Sequence, residues 1–162
     1  MPANIPPKVR IRLANAGEVE AMIAVVNAAF AIETFLDGTR TDVGRMTEMM
    51  AKVEFLVAED DSAITGCVYL EKREDRGYFG MLAVDPARQG GGIGRALVVA
   101  AENRCRQQGC SVMDVSVLNL RPELLPFYHR LGYMQTGTEE FHPSRPLKEG
   151  MQCYCMILSK NL

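Results

Sequence analysis

The chain has 162 residues, of which 48% are hydrophobic and 23% are charged. This length and composition predict one globular domain spanning residues 1 to 162, with enough apolar surface for a substantial core. The formal net charge of -2 at pH 7 gives no basic excess, so we expect neither nucleic acid nor a membrane surface as a partner. No apolar run approaches the roughly 20 residues that a membrane-spanning helix needs.

The N-terminus and the cysteines together favour a cytoplasmic location. The first ten residues lack the apolar core of a secretory signal and contain Pro2, Pro6 and Pro7 instead. The five cysteines leave at least one unpaired, and their spacing matches no zinc-binding framework. We therefore expect reduced thiols, no metal site and a cytoplasmic protein.

The first 50 residues predict one strand and two helices. Alternation of apolar and basic residues from Lys8 to Leu13 is typical of a half-buried strand. Asn15, with Glu18 three residues later, forms a capping-box pattern ahead of a helical repeat that ends at Phe30. Thr41 is predicted to cap a second, shorter helix. The apolar face of that helix would carry Val43, Met46 and Met50.

Three strands and a long helix are predicted next. The strands lie around Phe55 and Val57, from Ile64 to Glu71 and from Tyr78 to Val84. They are separated by a turn at Asp60-Asp61-Ser62 and by a charged turn from Glu71 to Gly77. The helical repeat that follows runs from Gly92 to Gln108, with Gly109 placed as its C-terminal cap.

The remaining residues predict a strand, a helix and two closing strands. The strand covers Val112 to Val117, and Pro122 opens a helix that ends at Gly132. The closing strands run from Tyr133 to Glu139 and from Met151 to Leu158. This order of elements predicts an α/β (α+β) domain, in which a mixed sheet carries helices on both faces.

The segment Gln89-Gly90-Gly91-Gly92-Ile93-Gly94 places four glycines within five positions, between a strand and a helix. Glycine permits backbone geometry that turns successive N–H groups toward one point. The first helical turn adds unpaired N–H groups and the positive end of the helix dipole. Together these features predict a site for a phosphate or a pyrophosphate.

Two common nucleotide motifs do not fit this loop. A Walker A loop needs a lysine and a serine or threonine after the last glycine, and neither follows here. A dinucleotide fingerprint G-x-G-x-x-G fails because its third glycine would fall on Arg95 or on Leu97. The loop also follows a meander of strands rather than the first strand of a βαβ unit.

The stretch from Leu82 to Leu97 resembles the acyl-CoA-binding motif of the GNAT superfamily of N-acetyltransferases. That motif has the form [RQ]-x-x-G-x-[GA], matched here by Gln89, Gly92 and Gly94. The resemblance covers nearly the whole chain. It implies a GNAT-like domain: a mixed, mostly antiparallel sheet of six or seven strands flanked by about four helices and splayed between strands 4 and 5.

The resemblance also implies acetyl-CoA as co-substrate and identifies residues that would hold it. Backbone groups of the fourth strand would bind the pantetheine arm, and amides of the glycine loop would bind the pyrophosphate. Many relatives have an asparagine seven residues before a tyrosine; that position is Arg121 here, and Asn119 is a candidate replacement. The residues implied to bind acetyl-CoA are Leu82, Ala83, Val84, Gln89, Gly90, Gly91, Gly92, Ile93, Gly94, Arg95 and Asn119.

The segment from Phe127 to Tyr133 is similar to the GNAT pattern [FL]-Y-x-x-x-G-[FY], whose tyrosine often points at the CoA sulfur. The resemblance implies that Tyr128 is the general acid in a direct transfer of acetyl to a primary amine within a ternary complex. A neutral phenol has a pKa of about 10, near the roughly 8.5 of a thiol, so it can share a proton with the leaving sulfur. The alternative is that Tyr128 only packs beneath the sheet.

The general base stays open at this point. Some relatives have a glutamate near the start of the fourth strand, where this chain has Tyr78. Glu71, Asp114 and Ser116, acting through water, are the alternatives. The missing acid also leaves a second function open, that of an acetyl-CoA-binding sensor or regulatory module with little turnover. A protein that binds another nucleotide is a further alternative.

The amine acceptor is also open. In the GNAT fold it usually lies between the first two helices and the loop joining the last two strands, here Ala31 to Asp42 and Phe141 to Gly150. Both segments carry mixed charge. This charge does not distinguish among four possible acceptors: a small amine, an aminoglycoside, a polyamine and a protein amino group. Exposed edges of the closing strands make a homodimer reasonable.

Overall fold

A computed structural model describes residues 9–61, 63–143 and 145–162, and within these ranges the chain forms seven strands and four α-helices. The strands are β1 (Arg10–Leu13), β2 (Glu54–Glu59), β3 (Ile64–Arg73), β4 (Arg76–Val84), β5 (Val112–Leu118), β6 (Met134–Glu140) and β7 (Tyr154–Asn161). The helices are α1 (Val19–Phe30), α2 (Val43–Met50), α3 (Ile93–Gln107) and α4 (Leu125–Arg130). The longest helix, α3, has 15 residues, and none of the described helices is long and apolar enough to cross a membrane.

The seven strands form one mixed sheet in the order β1-β2-β3-β4-β5-β7-β6. Every neighbouring pair is antiparallel except β4 and β5, which are parallel. The parallel pairing joins only Arg76–Tyr78 to Val112–Asp114, so the two strands separate beyond those residues. The predicted fold class is therefore confirmed, including the splay between the fourth and fifth strands.

Helices cover both faces of the sheet, and each face has its own apolar core. On one face α3 and α4 pack over the central strands, and on the other α1 and α2 do so. Fully buried in the first core are Phe79, Leu97, Met113 and Leu158. Fully buried in the second core are Met22, Val26, Met46 and Val57. The cleft described below opens through the sheet between these two layers.

The β3–β4 hairpin is tighter than the charge pattern predicts. The expected turn from Glu71 to Gly77 is wrong, because both strands continue to a two-residue turn at Glu74 and Asp75. Glu74 has a φ of 59°, in the left-handed region. Several charged residues of this segment are strand residues that form salt bridges, such as that between Arg76 and Asp114 at 2.7 Å.

The cap of α2 also differs from the prediction. Asp42, not Thr41, caps the helix, since its Oδ1 accepts the backbone N–H of Arg45 at 2.9 Å. Thr41 is buried, and its own N–H donates to Oδ1 of Asn27 on α1 at 2.9 Å. Val43 is exposed rather than part of the buried face, which Met46 occupies.

Other element ends shift by a few residues. The capping box at Asn15 and Glu18 is confirmed, although it closes a short 3-10 turn before α1. A 3-10 turn beginning at Pro122 likewise precedes α4. The final strand begins at Tyr154 rather than at Met151. Lys8 and Ser62, which the predicted first strand and first turn include, lie outside the described residues.

We expect Gly66→Ala to lower the free energy of unfolding by about 1–3 kcal/mol, the usual effect of overpacking a core. A Cβ at this position in β3 would lie 2.8 Å from the backbone oxygen of Ala83 and 3.0 Å from Cδ1 of Leu97. Gly137→Ala in β6 is the matched control, because the nearest atom to its Cβ would be 3.9 Å away. In this control, the free energy of unfolding should rise by about 0.5–1 kcal/mol. Urea unfolding followed by circular dichroism measures the free energy of unfolding of both variants. Equal values for the two would contradict the close contact described at Gly66.

Candidate active site

A cleft of about 820 Å³ opens where β4 and β5 separate. Its walls are the second half of β4, the glycine loop with the first turn of α3, the last residues of β5, and α4. At the other end it is bordered by the α1–α2 segment and by the segment between β6 and β7. The cleft therefore runs from the glycine loop to the two segments that the sequence predicts to border the acceptor.

The glycine loop adopts a backbone that only glycine takes without strain. Gly90 and Gly92 have φ values of 89° and 83°, and a Cβ at either position would meet no atom within 4 Å. Gly92 is also the N-cap of α3 and provides no side-chain cap. The amides of residues 92–95, at the start of α3, donate no hydrogen bond to another residue of the described chain. The loop thus presents free N–H groups and the helix N-terminus to the cleft, which is the arrangement that binds a phosphate.

Side chains around the loop hold it in place and leave one free cation. Asp85 caps the short turn before the loop by accepting the N–H of Ala87 at 3.0 Å. Arg88 forms a salt bridge with Asp60. Arg95 is exposed, lines the cleft and forms no salt bridge within the described ranges. Of the two arginines, Arg95 is therefore the one free to pair with a phosphate.

The edge of β4 that faces the cleft has no neighbouring strand beyond Tyr78. Asp85 donates its N–H to Thr65 on the β3 side at 2.8 Å. Successive strand residues direct their N–H groups to opposite edges of the strand. The backbone N–H groups of Val84 and Leu82, which are two residues apart, therefore both face the open side. The carbonyl oxygen of Val84 accepts Nε2 of Gln89 at 3.3 Å. An extended ligand can pair with this free edge.

A bulge in β4 marks the point where the strand leaves β5. The register with β3 changes by one residue between the pairs Cys67–Ala83 and Tyr69–Gly80. Met81 has a φ of 53°, an uncommon value for a side chain of this size. A Cβ on Gly80 would lie 2.6 Å from the ring of Tyr69, so only glycine fits there. The bulge and the close approach of the Tyr69 ring together explain why β4 has a glycine at position 80.

Tyr128 lies on α4 and lines the cleft while its side chain is largely buried. The residue is 5% exposed, and its ring packs against Phe79, Phe127 and Tyr133 with centroid distances of 5.0–6.0 Å. Burial raises the pKa of Tyr128 above its usual value, so the phenol keeps its proton at neutral pH. The ring thus packs beneath the sheet, and the residue also lines the cleft.

The structure brings most, though not all, of the predicted site residues together. Those that line the cleft are Leu82, Val84, Gln89, Gly90, Gly92, Ile93, Gly94, Arg95 and Tyr128. Ala83, Gly91 and Asn119 are not among the residues that line it. Asn119 instead accepts the backbone N–H of Tyr154 through Oδ1 at 2.8 Å, which ties the end of β5 to the start of β7. The roles of the lining residues stay predictions.

Comparison with known proteins identifies the family. A family model described as an acetyltransferase (GNAT) domain matches residues 20–144, more than half of the chain. The chain belongs to the GNAT acetyltransferase family.

Curated relatives include two mycothiol acetyltransferases. The one from Propionibacterium freudenreichii is 26% identical over 157 residues, covering 90% of this chain and 50% of that protein. The one from Sanguibacter keddieii is 31% identical over 162 residues, covering 89% of this chain and 49% of that protein. The chain thus spans about half the length of these GNAT relatives.

A solved structure supports the same fold. A protein from Salmonella typhimurium, solved with its cofactor acetyl-CoA, superposes with a TM-score of 0.75 at 22% identity. The match covers 95% of this chain and 94% of that one.

The three candidate bases of this GNAT domain have different surroundings. Glu71 is paired with Arg73, and Asp114 is paired with Arg76. Neither carboxylate is among the residues that line the cleft. Ser116 does line it, and its hydroxyl donates to Oε1 of Glu139 at 2.8 Å. Among these candidates, only Ser116 lines the cleft.

The end of the cleft between the α1–α2 and β6–β7 segments contains a charged cluster that no sequence pattern predicts. Glu33 of the α1–α2 segment is 4% exposed, and both of its oxygens accept arginine N–H groups. Nη1 of Arg121 lies 2.9 Å from one oxygen, and Nη2 of Arg145 lies 2.6 Å from the other. Arg145 comes from the β6–β7 segment, so this pairing joins the two loops. No sequence pattern relates positions 33 and 145, which are 112 residues apart.

Backbone contacts hold the same two loops together. Asp37 donates its N–H to the oxygen of Pro146 at 2.8 Å, and Lys148 donates to the oxygen of Phe35 at 2.9 Å. The end of the GNAT cleft is therefore built from segments that are distant in sequence, as the family resemblance implies.

Proposed function

We propose that this chain transfers an acetyl group from acetyl-CoA to a primary amine. The observation that carries the proposal is the glycine loop with its free amides at one end of the β4–β5 cleft. The residues present suit the cofactor, because the left-handed glycines, the helix N-terminus and the free edge of β4 are each places where parts of acetyl-CoA can bind. Gly94 also lines the cleft, in the first turn of α3.

In this proposal, amides of residues 89–95 and the side chain of Arg95 hold the pyrophosphate, and the backbone of Leu82 and Val84 holds the pantetheine arm. When bound, acetyl-CoA supplies the activated acetyl group as a thioester. The N–H groups of the β4 edge can polarise a carbonyl oxygen in the manner of an oxyanion hole. Arg88 takes no direct part, because Asp60 already pairs with it.

Tyr128 serves as the proton donor. Its phenol keeps a proton at Oη because burial raises the pKa of Tyr128. Its three aromatic neighbours fix the ring, so the proton is held in one place. Transfer of this proton to a departing sulfur avoids the release of a free thiolate in a desolvated cleft.

The amine must lose protons before and during the reaction. A lysine-like ammonium with a pKa of about 10.4 is only about 0.04% neutral at pH 7. In our proposal the Ser116 hydroxyl and the Glu139 carboxylate, which share a hydrogen bond of 2.8 Å, accept the first proton through water. The new N–C bond forms as the C–S bond breaks. One ammonium proton reaches solvent through this path, and the second restores Tyr128 after it protonates the sulfur.

The one cysteine of the cleft is not a nucleophile in this mechanism. Cys155 lines the cleft, and burial raises its pKa to about 11, so only about 0.01% is thiolate at pH 7. Transfer is therefore direct, with no acetyl-enzyme. Mixing the protein with acetyl-CoA and no acceptor should leave the Cys155 peptide unmodified by mass spectrometry. Acetyl found on Cys155 would show a two-step reaction instead.

A thiol-release assay tests the function as a whole. Purified protein is mixed with acetyl-CoA and a panel of primary amines, and free CoA is measured over time. We expect release above background with at least one amine and none with the matching tertiary amine, which has no N–H to lose. Acetyl-CoA binding without release for any amine would favour the sensor or regulatory role.

A further inference from the structure

The acceptor end of the cleft contains an arginine that has no protein partner. Arg40 lies between α1 and α2 and lines the cleft, with its guanidinium carbon 5.3 Å from the centre of the Phe30 ring. Within residues 9–61, 63–143 and 145–162, its side chain forms no salt bridge and donates no hydrogen bond. Burial lowers the pKa of Arg40 but leaves the guanidinium charged. Arg40 is half-buried, and its guanidinium directs five N–H donors to the cleft, where an anionic ligand can accept them.

The carboxylates nearby are already occupied. Glu33 accepts from Arg121 and from Arg145, one on each oxygen. Glu123 accepts Nε of Arg121 at 2.5 Å. Three guanidinium groups therefore face two carboxylates at this end of the cleft, and one positive charge stays unbalanced.

A second donor at the same place is also unsatisfied. Arg145 has a side chain that is only 6% exposed, and it lines the cleft. Its Nη1 donates to the oxygen of Gly38 at 3.2 Å and its Nη2 to Glu33, whereas its Nε is buried without a partner among the described residues. A buried donor left unpaired is unfavourable unless a ligand or water supplies an acceptor.

We propose that the acceptor is a small amine that also carries a carboxylate or a similarly compact anionic group, and that Arg40 binds this group. The inference rests on the proposed function, because it specifies the substrate of the same cleft. A guanidinium presents paired N–H groups that match the two oxygens of a carboxylate. Arg145 donates to Glu33 and to the backbone oxygen of Gly38, and these contacts fix it in the wall at the same end of the cleft.

The proposed anion site and the proton donor lie in one cavity. Arg40, Tyr78 and Tyr128 all line the same cleft of about 820 Å³. An amino acid, which carries its amine and its anion in one small molecule, suits an anion site and a proton donor that share one cavity. A lysine side chain of a protein carries no anion of its own.

A pocket next to the cleft has the charge that suits the ammonium end. A neighbouring pocket of about 490 Å³ shares Tyr78 and Ser116 with the cleft and contains Glu139 and Glu140. A zwitterion can thus place its anion on Arg40 and its ammonium toward the Ser116–Glu139 pair. The same orientation directs the amine to the residues that we propose accept its proton.

Matched acceptors test the inference. The wild-type protein is assayed for thiol release with acetyl-CoA and each of the common amino acids, its carboxamide and its decarboxylated amine. We expect the highest kcat/KM with an amino acid, and a fall of about 30-fold for its carboxamide, as for a lost hydrogen bond to a charged group. Arg40→Gln should remove this preference by lowering kcat/KM for the acid about 30-fold while leaving the carboxamide unchanged. Arg45→Gln on α2, an exposed arginine that does not line the cleft, is the control and should keep the preference.

A binding measurement separates failure of this inference from failure of the proposed function. Melting temperatures of the CoA complex are recorded with each acid and with its carboxamide. If no acceptor is acetylated but an acid raises the melting temperature and Arg40→Gln abolishes the effect, the anion site stands and the transferase function fails. If amides or simple amines are used as well as the acids, or if Arg40→Gln slows acids and amides equally, the anion site is wrong. Transfer only to a peptide amino group would overturn it as well.

Discussion

Tyr128→Phe should lower kcat by at least about 100-fold while the KM for acetyl-CoA stays within about twofold, the typical range for loss of a general acid. The substitution removes only the hydroxyl. The ring keeps its packing against Phe79, Phe127 and Tyr133, so the variant should fold normally. Steady-state kinetics with the best acceptor of the amine panel measure the change, and the acetyl-CoA dissociation constant is measured separately.

Tyr133→Phe is the matched control for this substitution. Tyr133 belongs to the same aromatic cluster, but its hydroxyl donates to Oε2 of Glu102 at 2.7 Å and the residue does not line the cleft. Glu102 keeps its salt bridge to Lys160 at 3.0 Å, so we expect a loss of only about 1 kcal/mol in stability and a kcat near that of the wild type. If both variants kept full turnover, Tyr128 would have only a packing role.

Gly94→Asp should weaken acetyl-CoA binding by at least about 100-fold without lowering the stability of the free protein. Gly94 lies in the first turn of α3, and a side chain there would point into the cleft beside Phe127. Two like charges about 4 Å apart repel by about 4 kcal/mol at an effective dielectric constant of about 20, equal to roughly a thousandfold in Kd. The same carboxylate is favourable for the free helix, because it lies at the positive end of the dipole.

Isothermal titration calorimetry with acetyl-CoA and thermal unfolding of the free protein together measure this prediction. Val99→Asp is the control, since it adds the same charge to α3 at an exposed position that does not line the cleft. The control should bind acetyl-CoA within about threefold of the wild type. Equal affinities of the Gly94 and Val99 variants would place the pyrophosphate elsewhere than on this helix.

Local patterns allowed much of the fold to be predicted. The helical repeats of α1 and α3, the capping box at Asn15 and the C-terminal glycine after α3 depend on residues close together in the chain, and each is found in the structure. The distribution of charged residues predicted secondary structure less well. The segment around Glu71 reads as a turn, yet it is strand, because its charges pair across the surface once the sheet has formed.

The two halves of the candidate site differ in how many of their residues could be predicted from the sequence. The donor half depends on contiguous residues, and most of those predicted for it line the cleft. Asn119 was chosen for its distance from Tyr128 along the chain, but its side chain is occupied by the backbone of Tyr154. That contact exists only because β5 and β7 are neighbours in the sheet.

The glycine loop, the helix behind it and the tyrosine segment could be predicted from local sequence, because a phosphate cradle needs only consecutive amides and one helix N-terminus. The other half of the cleft depends on contacts between segments that are distant in the chain. Glu33, Arg121 and Arg145 become partners when three distant segments close over the splayed strands. Among the described residues, the same closure leaves Arg40 without a salt bridge. Electrostatic pairing depends on distance in space, and no spacing along the chain encodes it.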